Sequence, residues 1–350
     1  MRKGQKYIIT APVFQQGGVA SFVNNMSPFL EGEVSIFRRG RSALSKDWSE
    51  RMFNSIELPF RFLKLLRKCK APNVLINSSL SFGSLLRDGL LVNLAKLRHR
   101  KTVLFIHGFQ AKALKYHRII RWGYFKADRI IVLANEFREL LIQQGYKRPI
   151  EISLNPIDDK LFQQTINNPI KDGLHDILFL SRIEQPKGIF EALECFRILK
   201  RRHPELVFNI VGDGSAKKEA EHFVAKNNIQ DVIFHGFKTG TDKIEILNNC
   251  LLLLLTSHRE GLPITVLEAM AAGELVLTRP VGGLVDLYKQ CEFGSLVDSL
   301  SPNDFADAFD RFYNSPEFCK TTRENNKKFA KSHFHPSVVA KTIQDIFDKI

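Results

Sequence analysis

The chain has 350 residues, of which 44% are hydrophobic, so it is long enough to bury the cores of two ordinary domains. No apolar run approaches the roughly 20 residues of a membrane-spanning helix, so we expect no transmembrane segment. Five scattered cysteines without a Cys-x-x-Cys pair fit a reduced cytosolic protein and argue against a zinc site. The net charge of +14 predicts an anionic partner.

Strand-like and helix-like segments alternate along the whole sequence, which predicts an α/β fold with parallel sheets. The first apolar stretch is broken by Thr10 and Pro12, so we interpret it as a strand and not as a signal peptide. The predicted strands of the first half are 7–11, 34–37, 74–77, 102–107, 129–133 and 150–154. Those of the second half are 176–180, 207–211, 232–234, 251–256, 275–278 and 295–297.

Between the two halves, residues 155–172 are polar and contain two prolines, so we place the interdomain linker there. This predicts an N-terminal domain at 1–160, a C-terminal domain at 173–335, and a final helix at 336–350 that packs back on the first domain. Two doubly wound, Rossmann-like domains in tandem are expected to face each other across a cleft, with ligand sites at the carboxyl ends of their strands.

The excess positive charge lies in the first half of the chain. Residues 1–170 hold 28 lysines and arginines against 12 acidic residues, whereas residues 171–350 hold 23 against 25. Segments 59–68, 90–100 and 112–126 mix these cations with apolar or aromatic residues at helical spacing. The solvated face of a core helix would explain any one of them, but together they favour docking on an anionic membrane surface. Nucleic-acid binding is the rival interpretation, and no recognition motif supports it.

The most informative motif follows the predicted strand 251–256. It consists of Glu260-Gly261-Leu262-Pro263 and a helical stretch with Glu268, closed by Gly273. Pro263 suits the first position of a helix, and the free N–H groups at that end accept phosphate. The carboxylates of Glu260 and Glu268 are strong acceptors for sugar or ribose hydroxyls.

Two cations follow the predicted strand 176–180. Arg182 lies at the end of that strand, and Lys187 opens the next predicted helix five residues later. Two cations beside a helix N-terminus favour a diphosphate site, although solvated surface charges fit their positions equally well. No Asp-x-Asp sequence for a metal–diphosphate complex occurs, so we expect neither a metal nor a cofactor.

Glycine turns and one histidine complete the set of candidates. Gly17 and Gly18 follow the first strand and allow backbone N–H groups to approach a phosphate, although a plain tight turn explains them as well. The turns at 211–214 and 281–284 are weaker signals of the same kind. His107 ends the predicted strand 102–107, where a histidine is more often structural than catalytic.

Together these motifs resemble those of glycosyltransferase family 4, whose members are retaining, nucleotide-sugar-dependent enzymes with the two-domain GT-B fold. The resemblance extends over most of residues 175–300 and more loosely over 5–160. It implies that Glu260 contacts the donor sugar, that Glu268 binds the ribose, and that Arg182 and Lys187 hold the diphosphate and stabilise the leaving group. The resemblance implies further donor contacts from the following residues: Gly17, Gly18, Phe237, Gly261, Leu262, Pro263, Val266 and Leu267.

The same resemblance implies that His107 lies near the donor sugar and the reaction centre. Gly108 stands where many relatives have an aspartate, so the carboxylate that could orient the imidazole is missing from that place. The expected reaction moves a sugar from a UDP-sugar, or a GDP-sugar, to a saccharide or polyprenyl-diphosphate-linked acceptor. It would serve capsule, lipopolysaccharide or glycolipid biosynthesis at the cytoplasmic face of the membrane. A sugar-nucleotide epimerase or a phosphorylase of the same fold is the alternative among enzymes.

Overall fold

The computed structural model describes residues 5–12, 17–39, 48–171, 173 and 176–350, with side chains described throughout except at 48–56. Residues 13–16, which precede the predicted glycine turn at Gly17 and Gly18, lie outside this set. Internal contacts divide the chain into two units, one formed by Met1–Pro156 with Pro336–Ile350 and the other by Ile157–His335.

The first unit alternates strands and helices, as its sequence predicts. Its strands are β1 (Gln5–Pro12), β2 (Glu33–Arg39), β3 (Asn73–Leu80), β4 (Lys101–Phe109), β5 (Arg129–Val132) and β6 (Ile150–Ile152). Its helices before the second unit are α1 (Gly18–Met26), α2 (Trp48–Lys68), α3 (Phe82–Leu97), α4 (His117–Trp122) and α5 (Asn135–Gln143). The described strands form a parallel sheet in the order β2-β1-β3-β4-β5-β6. Residues 103–106 of β4 are buried on both faces of the sheet, which is why they appear as a continuous apolar run.

The second unit repeats this architecture. Its strands are β7 (Asp176–Leu180), β8 (Val207–Val211), β9 (Val232–Gly236), β10 (Cys250–Leu255), β11 (Leu275–Thr278) and β12 (Gly294–Leu296). Its helices are α6 (Asp159–Ile166), α7 (Ile189–Arg202), α8 (Lys217–Lys226), α9 (Gly240–Leu247), α10 (Ile264–Ala272), α11 (Gly283–Gln290), α12 (Pro302–Tyr313) and α13 (Pro316–His333). The described strands form a parallel sheet in the order β12-β11-β10-β7-β8-β9.

The strand orders indicate where a ligand site is expected in each unit. The order reverses between β1 and β3 in the first sheet and between β7 and β10 in the second. At such a point the loops that follow the two strands diverge to opposite faces of the sheet and leave a crevice at its carboxyl edge. In the second unit, these loops carry Lys187 and Glu260.

All twelve predicted strands are confirmed, and the largest difference is at β3, which continues three residues beyond the prediction. Asn77 and Ser78 are polar but buried, and the strand goes on pairing with β4 past them. The interpretation of 155–172 as a linker missed helix α6. The Asp158 carboxylate caps that helix by accepting from Leu161 N at 2.9 Å, and Leu161 and Phe162 are buried.

The last helix, α14 (Pro336–Asp348), belongs to the first unit. It packs beside α1. The ring of Phe347 lies edge-on to Tyr7 of β1 at 5.6 Å, and its carbonyl accepts from Lys101 Nζ at 3.2 Å. The chain therefore leaves the first unit after Pro156 and returns to it at Pro336.

Candidate functional site

The loops that follow β7 and β10 are joined by one side-chain and one backbone hydrogen bond. Thr256 Oγ1 donates to the carbonyl of Gly188 at 2.6 Å, and His258 N donates to the carbonyl of Pro186 at 3.0 Å. Gly188 has a φ of 76°, and a Cβ there would lie 2.3 Å from the Thr256 carbonyl oxygen. Only glycine fits this position, so the two loops are held in one fixed arrangement.

This arrangement brings together two of the predicted site residues. Lys187 Nζ lies 2.7 Å from Glu260 Oε1, and the two side chains are only 17% and 10% exposed. Lys187 does not open helix α7 as predicted: it ends a short 3-10 turn, Gln185–Lys187, and Gly188 separates that turn from α7. The Glu260 carboxylate is the anion that lies beside the Lys187 ammonium. A ligand with its own anionic and hydroxyl groups could replace the contact that these two side chains make with each other.

The Glu260 loop rests on the glycine turn that precedes α11. Gly283 N donates to the carbonyl of Gly261 at 2.6 Å. Gly282 has a φ of 55°, and a Cβ there would lie 2.3 Å from the Glu260 carbonyl oxygen. The turn 281–284 needs its glycines for this close backbone approach, which fixes the position of Glu260.

Helix α10 presents its N-terminus and Glu268 beside this loop. Pro263 is the residue before the helix and not its first residue as predicted, and Gly273 ends the helix in the left-handed conformation. No described side chain caps the N-terminus. Val266 N donates to the Pro263 carbonyl at 3.2 Å, so the N–H groups of Ile264 and Thr265 are the ones that an anion could reach. Three predicted contact residues, Leu262, Val266 and Leu267, are buried in the core and hold the helix in place.

Glu268 is 4% exposed and is paired with a lysine that the sequence analysis did not identify. Lys243 Nζ, on α9, lies 2.7 Å from Glu268 Oε1. A carboxylate this deeply buried is costly without a partner, and the Lys243 ammonium is the partner that orients it. The spacing of Lys243 and Glu268 in the sequence does not predict this ion pair, because it depends on the packing of α9 against α10.

Arg182 has a different environment from Lys187. Its guanidinium is exposed, and Nη1 lies 2.6 Å from Glu184 Oε1 in the same loop. The neighbouring turn at 211–214 supports this loop, because Ile183 N donates to the carbonyl of Asp213 at 3.0 Å. Gly212 is required there, since a Cβ would lie 1.9 Å from the Ser181 carbonyl oxygen. Phe237 follows β9 with its ring 61% exposed.

In the first unit, Gly17 and Gly18 form the start of α1. Gly17 is the cap residue with a φ of 107°, and no described atom lies within 4 Å of a Cβ built on either glycine. Among the described residues, nothing therefore blocks the approach of a group to the backbone at this end of α1. Residues 13–16, which precede it, are not described.

His107 lies at the carboxyl end of β4, where the strand register shifts. Ser78 pairs with Ile106 and Ser79 pairs with Gly108, so His107 is the extra residue of a bulge. Its Nε2 lies 2.8 Å from Oδ1 of Asn77. Burial, aided by the Arg39 guanidinium, lowers the pKa of His107 to about 3, so the imidazole is neutral at physiological pH.

The sequence analysis missed Asn77, although a signal for it was present. Asn77 is the polar last residue of the predicted strand 74–77, beside the point where the strand order reverses. Polar residues at the carboxyl ends of strands in such folds commonly face ligands.

Among the described residues, no group of three or more His, Cys, Asp or Glu side chains could hold a metal ion. Within the same part of the chain, no helix has the length and apolar character needed to cross a membrane.

Comparison with known protein families finds two matches, one in each half of the chain. The family described as Glycosyltransferase Family 4 matches residues 17–161, and the family described as Glycosyl transferases group 1 matches residues 163–329.

Two curated relatives and one solved structure illustrate the similarity. An uncharacterized glycosyltransferase of Methanocaldococcus jannaschii is 26% identical over 264 residues, which cover 73% of this chain and 70% of the relative. The capsular polysaccharide biosynthesis glycosyltransferase CapM of Staphylococcus aureus is 22% identical over 240 residues, which cover 64% of this chain and 62% of that protein. Anabaena HepE, solved in complex with UDP-glucose, has a TM-score of 0.75 at 16% identity, covering 98% of this chain and all of that chain.

Proposed function

Because the chain belongs to glycosyltransferase family 4 and has the GT-B fold, we propose that it is a retaining enzyme that uses a nucleotide diphosphate sugar. The proposed donor is a UDP-sugar, with a GDP-sugar as the second choice. The proposed acceptor is a saccharide or a polyprenyl-diphosphate-linked glycan in cell-surface polysaccharide or glycolipid synthesis. The relatives support these choices, since HepE was solved with UDP-glucose and CapM is named for capsular polysaccharide biosynthesis.

The pairing of Lys187 with Glu260 carries the proposal. A diphosphate sugar has an anionic part for the lysine and a hydroxylated part for the carboxylate, so it can replace the contact that the two groups make with each other. The open N-terminus of α10 lies in the same loop region and offers N–H groups to the diphosphate. Exposed Arg182, in the loop that also carries Lys187, adds a second cation once it leaves Glu184.

Glu268 would bind the ribose hydroxyls. It is deeper in the unit than Glu260 and is held by Lys243, so it is a fixed acceptor in one orientation. The two glutamates of the motif therefore have separate tasks: Glu268 anchors the nucleoside, and Glu260 positions the transferred sugar.

In the proposed reaction the bond between the anomeric carbon and the diphosphate oxygen breaks, while the acceptor hydroxyl attacks from the same face. The leaving diphosphate takes the hydroxyl proton. Lys187, Arg182 and the N–H groups of α10 stabilise the charge that develops on the diphosphate. We propose that these groups suffice without a divalent ion or a cofactor.

The first unit would bring the enzyme to an anionic membrane surface, at the inner face of the cell membrane. Its exposed large apolar side chains include Phe82 and Leu86 on α3 and Trp122 on α4. Exposed cations, among them Arg118 and Arg121, lie on α4. Apolar groups flanked by cations suit a surface of acidic lipids, which is where a polyprenyl-linked acceptor would be found.

A screen of nucleotide sugars tests the proposed donor. Purified protein is mixed with UDP- and GDP-sugars, and thermal stabilisation is followed by calorimetric titration of each positive compound. We expect one nucleotide class to raise the melting temperature of the wild type and to raise that of Lys187→Ala much less. A folded wild-type protein that binds no nucleoside diphosphate and no nucleotide sugar would contradict the proposal.

A further inference from the structure

The environment of His107 identifies a residue that controls this histidine. We propose that Asn77 is a positioning residue that fixes His107 in the tautomer with its proton on Nε2, so that Nδ1 is a hydrogen-bond acceptor. The inference extends the proposed function to His107, which the family resemblance implies is near the donor sugar, and it rests on that proposal for its catalytic consequence. The tautomer itself follows from contacts within the first unit.

The orientation of the Asn77 side chain is set by Thr10. The Asn77 Nδ2 group donates to the main-chain carbonyl of Thr10 at 2.8 Å. A carbonyl oxygen can only accept, so the amide nitrogen must face Thr10 and the amide oxygen must face His107. That oxygen lies 2.8 Å from His107 Nε2. Because Oδ1 can only accept, Nε2 must donate and therefore carries the proton.

The backbone of Asn77 is fixed independently of its side chain. Asn77 N donates to Thr10 Oγ1 at 3.0 Å, and the guanidinium of Arg39 donates to the Asn77 carbonyl. Asn77, Thr10 and Arg39 are buried, with side-chain exposures of 0%, 0% and 6%. With the backbone fixed at two points and Nδ2 bonded to the Thr10 carbonyl, the side-chain amide keeps its oxygen towards the histidine.

The imidazole plane is fixed as well. The ring of His107 stacks on Phe105 with centroids 4.0 Å apart, and the ring of Phe22 packs edge-on against it at 4.7 Å. With the plane and one nitrogen fixed, the direction of Nδ1 follows.

The charged and titratable groups around this cluster favour the neutral form of His107. Arg39 ends β2 and pairs with buried Asp88 of α3, which also pairs with Arg87. Tyr124 bonds to Ser78, the neighbour of Asn77. Burial and Arg39 hold the pKa of His107 at about 3, so the ring stays neutral at physiological pH.

In neutral His107 the unprotonated Nδ1 can accept a hydrogen bond but cannot donate one. It would accept a hydrogen bond from a substrate hydroxyl, and it would repel a carboxylate or a phosphate oxygen. The chain has glycine at position 108 and so lacks an acidic neighbour there. Asn77 supplies the orienting oxygen from the adjacent strand instead, and a neutral amide orients the ring without raising its pKa as a carboxylate would.

Nitrogen NMR of the full-length protein tests the tautomer directly. The ten histidines are labelled with ¹⁵N, and the His107 signals are assigned by their loss in His107→Gln. We expect a pyrrole-like Nε2 and a pyridine-like Nδ1 that do not change between pH 5 and 8. A proton on Nδ1, or ordinary titration near pH 6.5, would overturn the inference. This measurement needs no substrate, so its failure is distinct from failure of the proposed function.

Three variants test the consequence for turnover. Asn77→Ala removes the orienting oxygen and should lower kcat roughly tenfold, the value of one lost hydrogen bond, with little change in KM. Asn77→Asp keeps an acceptor but adds a charge, so it should raise the His107 pKa and make activity fall as the pH drops through the new value. Thr10→Val is the control: it removes the bond to the Asn77 backbone and leaves Oδ1 beside His107.

Thr10→Val should lower the melting temperature but keep both the Nε2 tautomer and the wild-type pH profile. If it lowers kcat as much as Asn77→Ala, the role of Asn77 is only structural and the inference is wrong. If Asn77→Asp does not fold, the NMR comparison of the wild type with Asn77→Ala still tests the inference. The wild type should show the Nε2 tautomer of His107, and Asn77→Ala should lose it.

Discussion

The two glutamates of the motif are expected to differ in their effect on nucleotide binding. Glu268→Gln keeps the shape of the side chain and removes its charge from a position that is 4% exposed. Hydrogen bonds to a charged group contribute about 1.5–3 kcal/mol, so the Kd for the nucleoside diphosphate should rise roughly tenfold to 150-fold. Glu260→Gln should not weaken this binding, because Lys187, 2.7 Å from the carboxylate, is then released to the diphosphate. The same variant should lower turnover, since the sugar loses its acceptor.

Calorimetric titration with the nucleoside diphosphate alone measures both effects without an acceptor. Glu245→Gln is the matched control, because Glu245 is exposed on α9, the helix that carries Lys243. The control should bind like the wild type. An equal loss of affinity in Glu260→Gln and Glu268→Gln would show that the assignment of separate tasks to these residues is wrong.

Three further predictions follow from charge. Arg182→Ala should lose about 2–4 kcal/mol of transition-state stabilisation, measured as the fall in kcat/KM. The activity of the wild type should persist in EDTA. A requirement for added manganese would contradict the proposed site. Replacing Arg118 and Arg121 by glutamate should weaken cosedimentation with acidic vesicles by about 1 kcal/mol for each cation removed, more at low salt, with neutral vesicles as the control. Burial, reinforced by the charge of Glu268 and opposed by Arg323, raises the pKa of Glu274 well above its usual range. Because the folded-state pKa is raised, stability should fall as the pH rises above the unfolded value of about 4.3. Glu274→Gln should therefore raise the melting temperature more at pH 8 than at pH 5. An equal rise at both pH values would show that ionisation of buried Glu274 does not lower the stability.

The sequence predicted the strands well because most of them are buried on both faces and appear as apolar runs between turn residues. It failed where polar residues are buried inside an element. Asn77 and Ser78 continue β3, and the polar segment after Pro156 contains helix α6, whose buried residues are Leu161, Phe162 and polar Thr165. Composition alone cannot separate such segments from loops, because the buried residues are few.

The site motif could be recognised from the sequence, but its pairings could not. Glu260 and Glu268 stood out by their spacing, whereas their partners Lys187 and Lys243 lie 73 and 25 residues away in the chain. These contacts exist because β7 and β10 are neighbours and because α9 packs against α10, and both facts belong to the fold. The requirement for glycine at 188 and 282 could not be predicted either. It arises because another segment of backbone passes close to each of these residues in the folded unit.

The anomeric configuration of the first product tests the central claim most directly. The donor found in the screen is incubated with the enzyme, and the released or transferred sugar is followed by proton NMR from the earliest time points. We predict that an α-linked donor gives an α-configured first product together with one equivalent of nucleoside diphosphate, and that Lys187→Ala slows both. A β-configured first product, or cleavage without release of a nucleoside diphosphate, would contradict a retaining transfer at this site.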